Sequence, residues 1–417
     1  MRIAIIAPGS QGDVQPFLAL GKGLIKAGNT VRLVTNQNYE KQVKSQGLEF
    51  WPIEVSMEDV IRSDKMRETL ESGKLLTSMA RMGTELKQHA ELLAKRGLEA
   101  CRKMDIIMAG ISGLFTADSI AEKLDIPFLQ ALNIPFTPTK AFAGALLPKF
   151  PSWLGGYRLS HRLTQQIVWQ AYRPTDKVIR KQVLGLPKSP FFGPFKSKSL
   201  KEGPIIYGIS PSIFSRPDDW TDNIQITGFW SLDPPDHWSP PSDLMTFLQE
   251  GPAPLYIGFG SMSSKNPEET ANMVLKVLIN TNQRAIVFSG WGGLNKIDLP
   301  DSVLMVDSVP HSWLFSRVRA VIHHGGAGTT AAGLTAGVPS IIVPFHGDQP
   351  FWGHLIAKLG VGPNPIPRKK LSVARLVKAI QEVETDEEIR ENASKLGSEI
   401  RAENGIERAI SIINEIF

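Results

Sequence analysis

The sequence predicts an α/β protein of two doubly wound, parallel-sheet domains, and three observations predict it. Short apolar runs alternate with amphipathic helical stretches along the chain. The alternation breaks once, at the proline-rich stretch Asp-Pro-Pro-Asp-His-Trp-Ser-Pro-Pro over 233–241, and then restarts. The length of 417 residues, at roughly 150 per domain, fits two or three domains.

The elements follow in order. Residues 2–7 read as a strand, 8–12 as a tight turn and 14–27 as a helix. Phe17, Leu20, Gly21 and Leu24 share one face of that helix. Gly28-Asn29 stops it, and 30–35 is a second strand, completing a βαβ unit. Further strands are expected at 50–53, 105–109, 127–131, 205–209 and 224–227, with helices over 56–103 and 118–123. Proline-rich loops and basic helices fill 134–200. Beyond the break, strands are expected at 255–259, 284–288, 303–306, 320–323 and 340–343. Helices are expected at 267–281, 312–315, 329–336, 351–359 and 373–417. In such sheets ligands sit beyond the carboxyl ends of the strands, and the interdomain cleft is the default site.

Composition narrows the class. With 42% hydrophobic and 21% charged residues the chain is an ordinary globular protein rather than a disordered or fibrous one. A single cysteine, Cys101, excludes an internal disulfide and any cysteine-based zinc site. No apolar run reaches the roughly 18 residues needed to span a bilayer. The apolar start ends in a Gly/Asp loop without a cleavage site, so it reads as a strand and the protein as cytoplasmic. The remaining histidines His89, His161, His237 and His354 lack metal-ligand spacing, and His323, His324 and His346 lack a third spaced ligand. Gly9-Ser10-Gln11-Gly12 is not a dinucleotide fingerprint, and no Walker lysine is present.

The strongest chemical signal is Ala-Val-Ile-His-His-Gly-Gly-Ala-Gly-Thr-Thr over 320–330, followed by Gly-Asp-Gln-Pro over 347–350. A buried strand runs into a glycine turn and then a helix start. Gly325, Gly326 and Gly328 permit close backbone approach, and Thr329 and Thr330 sit at a helix N-terminus. Such an end binds phosphate through free N–H groups and its dipole. His324 can add a donor, and Asp348 with Gln349 can hold adjacent hydroxyls in two-point contact. Asp13, taken alone, reads as a helix N-cap.

Together these segments resemble the nucleotide-sugar glycosyltransferases of GT-B fold in glycosyltransferase family 1. The similarity is greatest to sterol 3-beta-glucosyltransferases and bacterial antibiotic glycosyltransferases. It extends over residues 9–17, Thr-Gly-Phe-Trp at 227–230, Gly-Phe-Gly-Ser-Met at 258–262, Ser-Gly-Trp-Gly at 289–292 and Val-Pro-His at 309–311, nearly the whole chain.

The resemblance implies an acceptor-binding domain over 1–230, a linker over 231–242, a UDP-sugar domain over 243–400 and a C-terminal helix, 401–417, crossing back to the first domain. It implies that His324 and Gly326 contact the diphosphate, with Gly328, Thr329 and Ser261 closing around it. Asp348 and Gln349 would bind the sugar hydroxyls, Val309 the uracil through its backbone, and Trp291 would stack on the base. Asp13 would be the general base on the acceptor hydroxyl, and Asp118 structural. Gln11, Trp153 and Trp169 would border the acceptor. Gln11 stands where the family often has Arg, and Ala332 where plant enzymes have a ribose-binding Glu.

The implied reaction is inverting transfer of glucose from UDP-glucose to a hydroxyl of a sterol or sterol-like polycycle, with no metal and no cofactor beyond the co-substrate. A polyketide, glycopeptide or phenolic acceptor is the alternative. A UDP-sugar 2-epimerase and a non-catalytic, membrane-associated nucleotide-sugar-binding protein are alternatives of other classes.

The net charge of +5 hides an asymmetry. Residues 149–201 hold eleven Lys/Arg and one acid, Asp176, for +10, and the rest of the chain is −5. Leu159, Leu163 and Ile167 form an apolar stripe, with Arg158, Arg162 and Trp169 on a neighbouring face. This pattern fits either a solvated face over a core stripe or a helix lying on an anionic membrane. It does not favour nucleic acid, because no nucleic-acid motif accompanies it.

Overall fold

A computed structural model describes residues 1–53, 75–151, 153, 156–235, 238–259, 267–289 and 299–417. The chain forms two compact units, Met1–Leu232 with Glu403–Phe417, and Asp233–Ala402.

The first unit is built on seven parallel strands: β1 (Arg2–Ile6), β2 (Thr30–Asn36), β3 (Glu49–Ile53), β4 (Ile106–Ala109), β5 (Phe128–Leu132), β6 (Ile205–Tyr207) and β7 (Ile224–Ile226). Their order is β3-β2-β1-β4-β5-β6-β7. Strand β1 is central, so Ile3–Ile6 is covered on both faces, which explains an unbroken apolar run rather than an alternating one. The winding reverses between β1 and β4, and the loops after these two strands therefore open at one point of the sheet edge.

Helices α1 (Gln11–Lys26), α2 (Glu40–Ser45), α3 (Leu75–Cys101), α4 (Leu114–Leu124), α5 (Gly156–Asp176) and α6 (Lys198–Glu202) cover the sheet and its extension. Helix α1 buries Val14, Phe17, Leu18, Leu20 and Leu24. It starts at Gln11, three residues before the expected Val14. Asp13 is therefore the third helical residue and Ser10 the N-cap, because Ser10 and Asp13 form a reciprocal capping pair.

The terminal helix (Gly405–Ile416) packs on α1, with Ile406 against Gly23. Its approach explains the Thr-Gly-Phe-Trp motif. Gly228 has φ +112°, and a side chain there would meet the Gly405 backbone at 2.8 Å. Thr227 Oγ1 accepts from Trp230 Nε1 at 3.0 Å, holding the indole 6.0 Å from the Phe17 ring. Glu403 completes the return by accepting hydrogen bonds from the Ser210 and Ser212 hydroxyls.

The second unit has five parallel strands: β8 (Leu255–Gly258), β9 (Ala285–Phe288), β10 (Val303–Val306), β11 (Ala320–His323) and β12 (Ser340–Ile342), ordered β10-β9-β8-β11-β12. Its switch point lies between β8 and β11. Its helices are α7 (Ser242–Gln249), α8 (Pro267–Thr281), α9 (His311–Leu314), α10 (Ala327–Ala336), α11 (Gln349–Lys358), α12 (Val373–Thr385) and α13 (Glu387–Arg401). The helical stretch expected over 373–417 divides into three helices, the last of them the terminal helix over Gly405–Ile416. Asp386 ends one and caps the next, accepting from Glu388 and Ile389 N–H, and Asn404, at φ +50°, turns the chain again.

Candidate active site

Asp13 lies at the switch point of the first sheet. Its Oδ2 accepts from Ser10 N–H at 2.8 Å and from the Ser10 hydroxyl at 3.0 Å. Gly9 makes room for it, since a Cβ there would lie 2.2 Å from Oδ2. Burial raises the Asp13 pKa above the ordinary carboxylate value. The Ser10 bonds, and to a lesser degree Ser112, oppose that rise.

Ser112, on the loop after β4, was not singled out from sequence. Among the described residues its buried Oγ meets no partner at full hydrogen-bond geometry, yet it sits close enough to Asp13 to favour the ionised form. Only the pairing of β1 with β4 brings the two loops together, and no local motif announces that.

The other acceptor-side residues are dispersed. Gln11 is exposed at the first position of α1. Trp153 is exposed. Trp169 is fully buried on α5, edge-on to Phe115 with ring centroids 5.0 Å apart, and its Nε1 donates to Phe191 O at 2.8 Å. Trp169 thus holds the loop after α5 from beneath. Asp118 is buried on α4 and accepts from the Ser199 hydroxyl, and its pKa is pushed up to about 6 by burial. It engages Ser199 rather than Asp13, in keeping with a structural role.

In the second unit the glycine turn follows β11. Gly325, at φ +86°, packs so closely that a side chain would meet Ile342 Cγ2 at 2.6 Å and Gln349 O at 3.2 Å. The turn and Gln349 are therefore adjacent. Gly326 caps α10, two residues earlier than the expected start, so Ala327, Gly328 and Thr329 form its first turn. Gly328 is exposed, and nothing crowds it among the described residues. The first turn of such a helix presents free N–H groups suited to an anion.

His324 lies beside this end, with its Nε2 2.6 Å from where a Gly326 Cβ would stand. Burial pushes the His324 pKa down to about 4, with His346 and His311 adding to the effect. His346 and His311 are likewise lowered to about 4 by burial, and His323 well below the usual value. All four rings are thus neutral at pH 7, each with one N–H to donate. His323 Nδ1 accepts from Gly325 N–H at 3.1 Å and His311 Nε2 meets Tyr256 OH at 3.1 Å. Among the described residues His323 Nε2, His324 Nδ1 and His346 Nε2 are buried without partners, a set of orphaned polar atoms around one glycine turn. The repeated His-His and His346 were legible in sequence, but not their convergence.

Asp348 and Gln349 open α11 rather than lying in a loop. Asp348 Oδ2 accepts from Trp352 Nε1 at 2.7 Å. Gln349 Oε1 accepts from the N–H groups of Phe345 and His346 at 2.7 and 3.1 Å. Val309 is half-buried in the turn before α9. Ser261 and Trp291 lie outside the described residues.

Two parallel-sheet α/β units with these turns define the GT-B class. Solved structures agree on the fold. A glycotransferase of kitacinnamycin superposes with TM-score 0.71 at 19% identity, covering 99% of this chain and 98% of that one. The glycosyltransferase SsfS6 of Streptomyces sp. SF2575, complexed with thymidine diphosphate, superposes with TM-score 0.66 at 18% identity, covering 100% and 99%. The glycosyltransferase family 28 N-terminal domain model matches residues 3–143, and that of the erythromycin biosynthesis protein CIII-like C-terminal domain matches 275–413.

Among curated proteins, the sterol 3-beta-glucosyltransferases UGT80A2 and UGT80B1 of Arabidopsis thaliana are 37% and 34% identical, each over 98% of this chain. The Aspergillus oryzae sterol 3-beta-glucosyltransferase is 33% identical over 99% of this chain. The chain belongs to the GT-B UDP-glycosyltransferase family, alongside the sterol 3-beta-glucosyltransferases. It spans 64% and 67% of the two plant proteins and 30% of the fungal one.

Proposed function

We propose that the protein transfers glucose from UDP-glucose to the hydroxyl of a sterol or sterol-like polycycle, with inversion and without a metal. The observation that carries this reading is the presence of two sites, one in each unit, in a chain similar to sterol glucosyltransferases over nearly its whole length. One is a half-buried carboxylate at a sheet switch point, and the other a glycine turn and helix N-terminus beside a neutral histidine, His324.

In the proposed reaction the acceptor oxygen attacks the anomeric carbon as the bond to the UDP oxygen breaks. The hydroxyl proton passes to Asp13. The raised pKa makes Asp13 a stronger base than an exposed aspartate, and the Ser10 bonds fix its direction. Negative charge grows on the diphosphate as UDP leaves. The first turn of α10 and the neighbouring histidines supply donors there, and preorganised donors in a dry site stabilise such charge more than water does. Asp348 and the Gln349 amide would orient the sugar.

Mass spectrometry after incubation with UDP-glucose and a panel of sterols, polyketides and phenols tests the reading. A gain of one hexosyl residue on a sterol, largest in that class, is expected. A new sugar nucleotide of the donor's mass but a different chromatographic retention time, with every acceptor unmodified, would point to an epimerase, and no change in donor or acceptor to a protein that only binds.

A further inference from the structure

We propose that the first unit docks on an anionic lipid bilayer surface through the face made by α5 and the loop after it. Residues 190–195 of that loop lie over α5. Three side chains of α5 hold its backbone: Trp169 and Gln170 donate to Phe191 O at 2.8 and 3.1 Å, and Gln166 donates to Phe192 O at 2.7 Å. Asp176, at the end of α5, accepts from Ser189 N–H and its hydroxyl at 3.1 and 2.7 Å. The loop is thus fixed, while its two rings face outward: Phe191 is 60% exposed and Phe192 70% exposed. Leu159 and Leu163, also exposed, precede Gln166 and Gln170 at helical spacing and extend the same apolar strip along α5.

The charge around this strip selects its partner. Arg173 lies over the Phe191 ring at 4.3 Å, and Arg162, Lys177, Lys188 and Lys196 are exposed without an ion pair among the described residues. The single acid of the segment, Asp176, is buried and spent on Ser189. A second copy of the chain would bring the exposed Arg162, Lys177, Lys188 and Lys196 of both copies together, which like-charge repulsion opposes. An anionic bilayer complements the surface in both respects. Phe and Leu enter the headgroup boundary, and Lys and Arg reach phosphates with their stems along the apolar strip. Among the described residues no helix is long and apolar enough to cross a membrane, so the contact is at the surface.

The test is co-sedimentation of the full chain with vesicles of phosphatidylcholine alone or with about 30 mol% phosphatidylserine. Binding is expected on the anionic vesicles only, and its loss in about 1 M NaCl, where the Debye length is about 3 Å. The double variant Phe191→Ser/Phe192→Ser should bind at least about tenfold more weakly. These side chains are exposed, so circular dichroism and UDP binding should be unchanged. A Lys188→Glu/Lys196→Glu variant should lose binding similarly. No sedimentation with anionic vesicles, or sedimentation unaffected by both double variants, would overturn the proposal. So would self-association, seen by light scattering, that the Phe191→Ser/Phe192→Ser variant abolishes.

Discussion

Gly9→Ala perturbs the proposed base without touching it. The new Cβ would stand 2.2 Å from Asp13 Oδ2, 2.3 Å from Cγ and 2.5 Å from Cβ. Ordinary contact begins near 3.4 Å, so the carboxylate must move by about 1.2 Å. Asp13 is anchored in the first turn of α1, and it can move only by breaking both Ser10 bonds. Losing two bonds to a charged acceptor costs about 3–6 kcal/mol, much of it offset because the displaced carboxylate regains solvent. The fold should survive a loss of that size. Catalysis should not, because a misplacement of about 1 Å can cost about 10²-fold. The assay is the initial rate of glucosyl transfer to a sterol, with calorimetric UDP binding as control. In the proposed reaction UDP binds the second unit, so its affinity should be unchanged. A Gly9→Ala rate within about threefold of wild type would refute the claim that the carboxylate position in this capping pair governs transfer.

Two further outcomes are expected. His324→Ala removes a half-buried imidazole beside the first turn of α10, and UDP affinity measured by calorimetry should fall by about 1–3 kcal/mol, roughly 5- to 150-fold; an unchanged affinity would remove the diphosphate role. Acid should destabilise the second unit between pH 6.5 and about 4, because His311, His324 and His346 have folded pKa values near 4 against 6.5 for the free side chain. In that window the unfolded chain binds more protons, so stability is intact above about 6.5 and is lost as pH falls through it. Thermal melts across this range should show a decline, and a flat profile would contradict the burial of these rings.

The sheets were legible because each strand is a local apolar run, and the break near 233 was legible as a proline cluster. The glycine turn after β11 was legible for the same reason, since its conformation is dictated by Gly325 and its neighbours. What failed to show locally was set by contacts distant in sequence. Trp169 reads as part of a basic amphipathic surface, but a loop more than twenty residues downstream lies over it. Ser112 carries no signature and gains meaning only because β4 pairs with β1. The start of α1 lay between these extremes. Ser10 and Asp13 have the spacing of a capping pair, yet a turn and a helix opening at Val14 satisfied the apolar periodicity equally well.

The terminal helix shows the same division. Its apolar face is readable, but the need for glycine at both 228 and 405 arises from two backbones meeting across the fold.

Asp13→Asn tests the central claim most directly. Asparagine keeps the shape and an acceptor oxygen for Ser10, but it cannot take a proton from the acceptor hydroxyl. Measured by mass spectrometry with UDP-glucose and a sterol, transfer should fall by about 10²–10⁴-fold while UDP binding persists. Transfer within about tenfold of wild type would show that another group, or no group, accepts the proton.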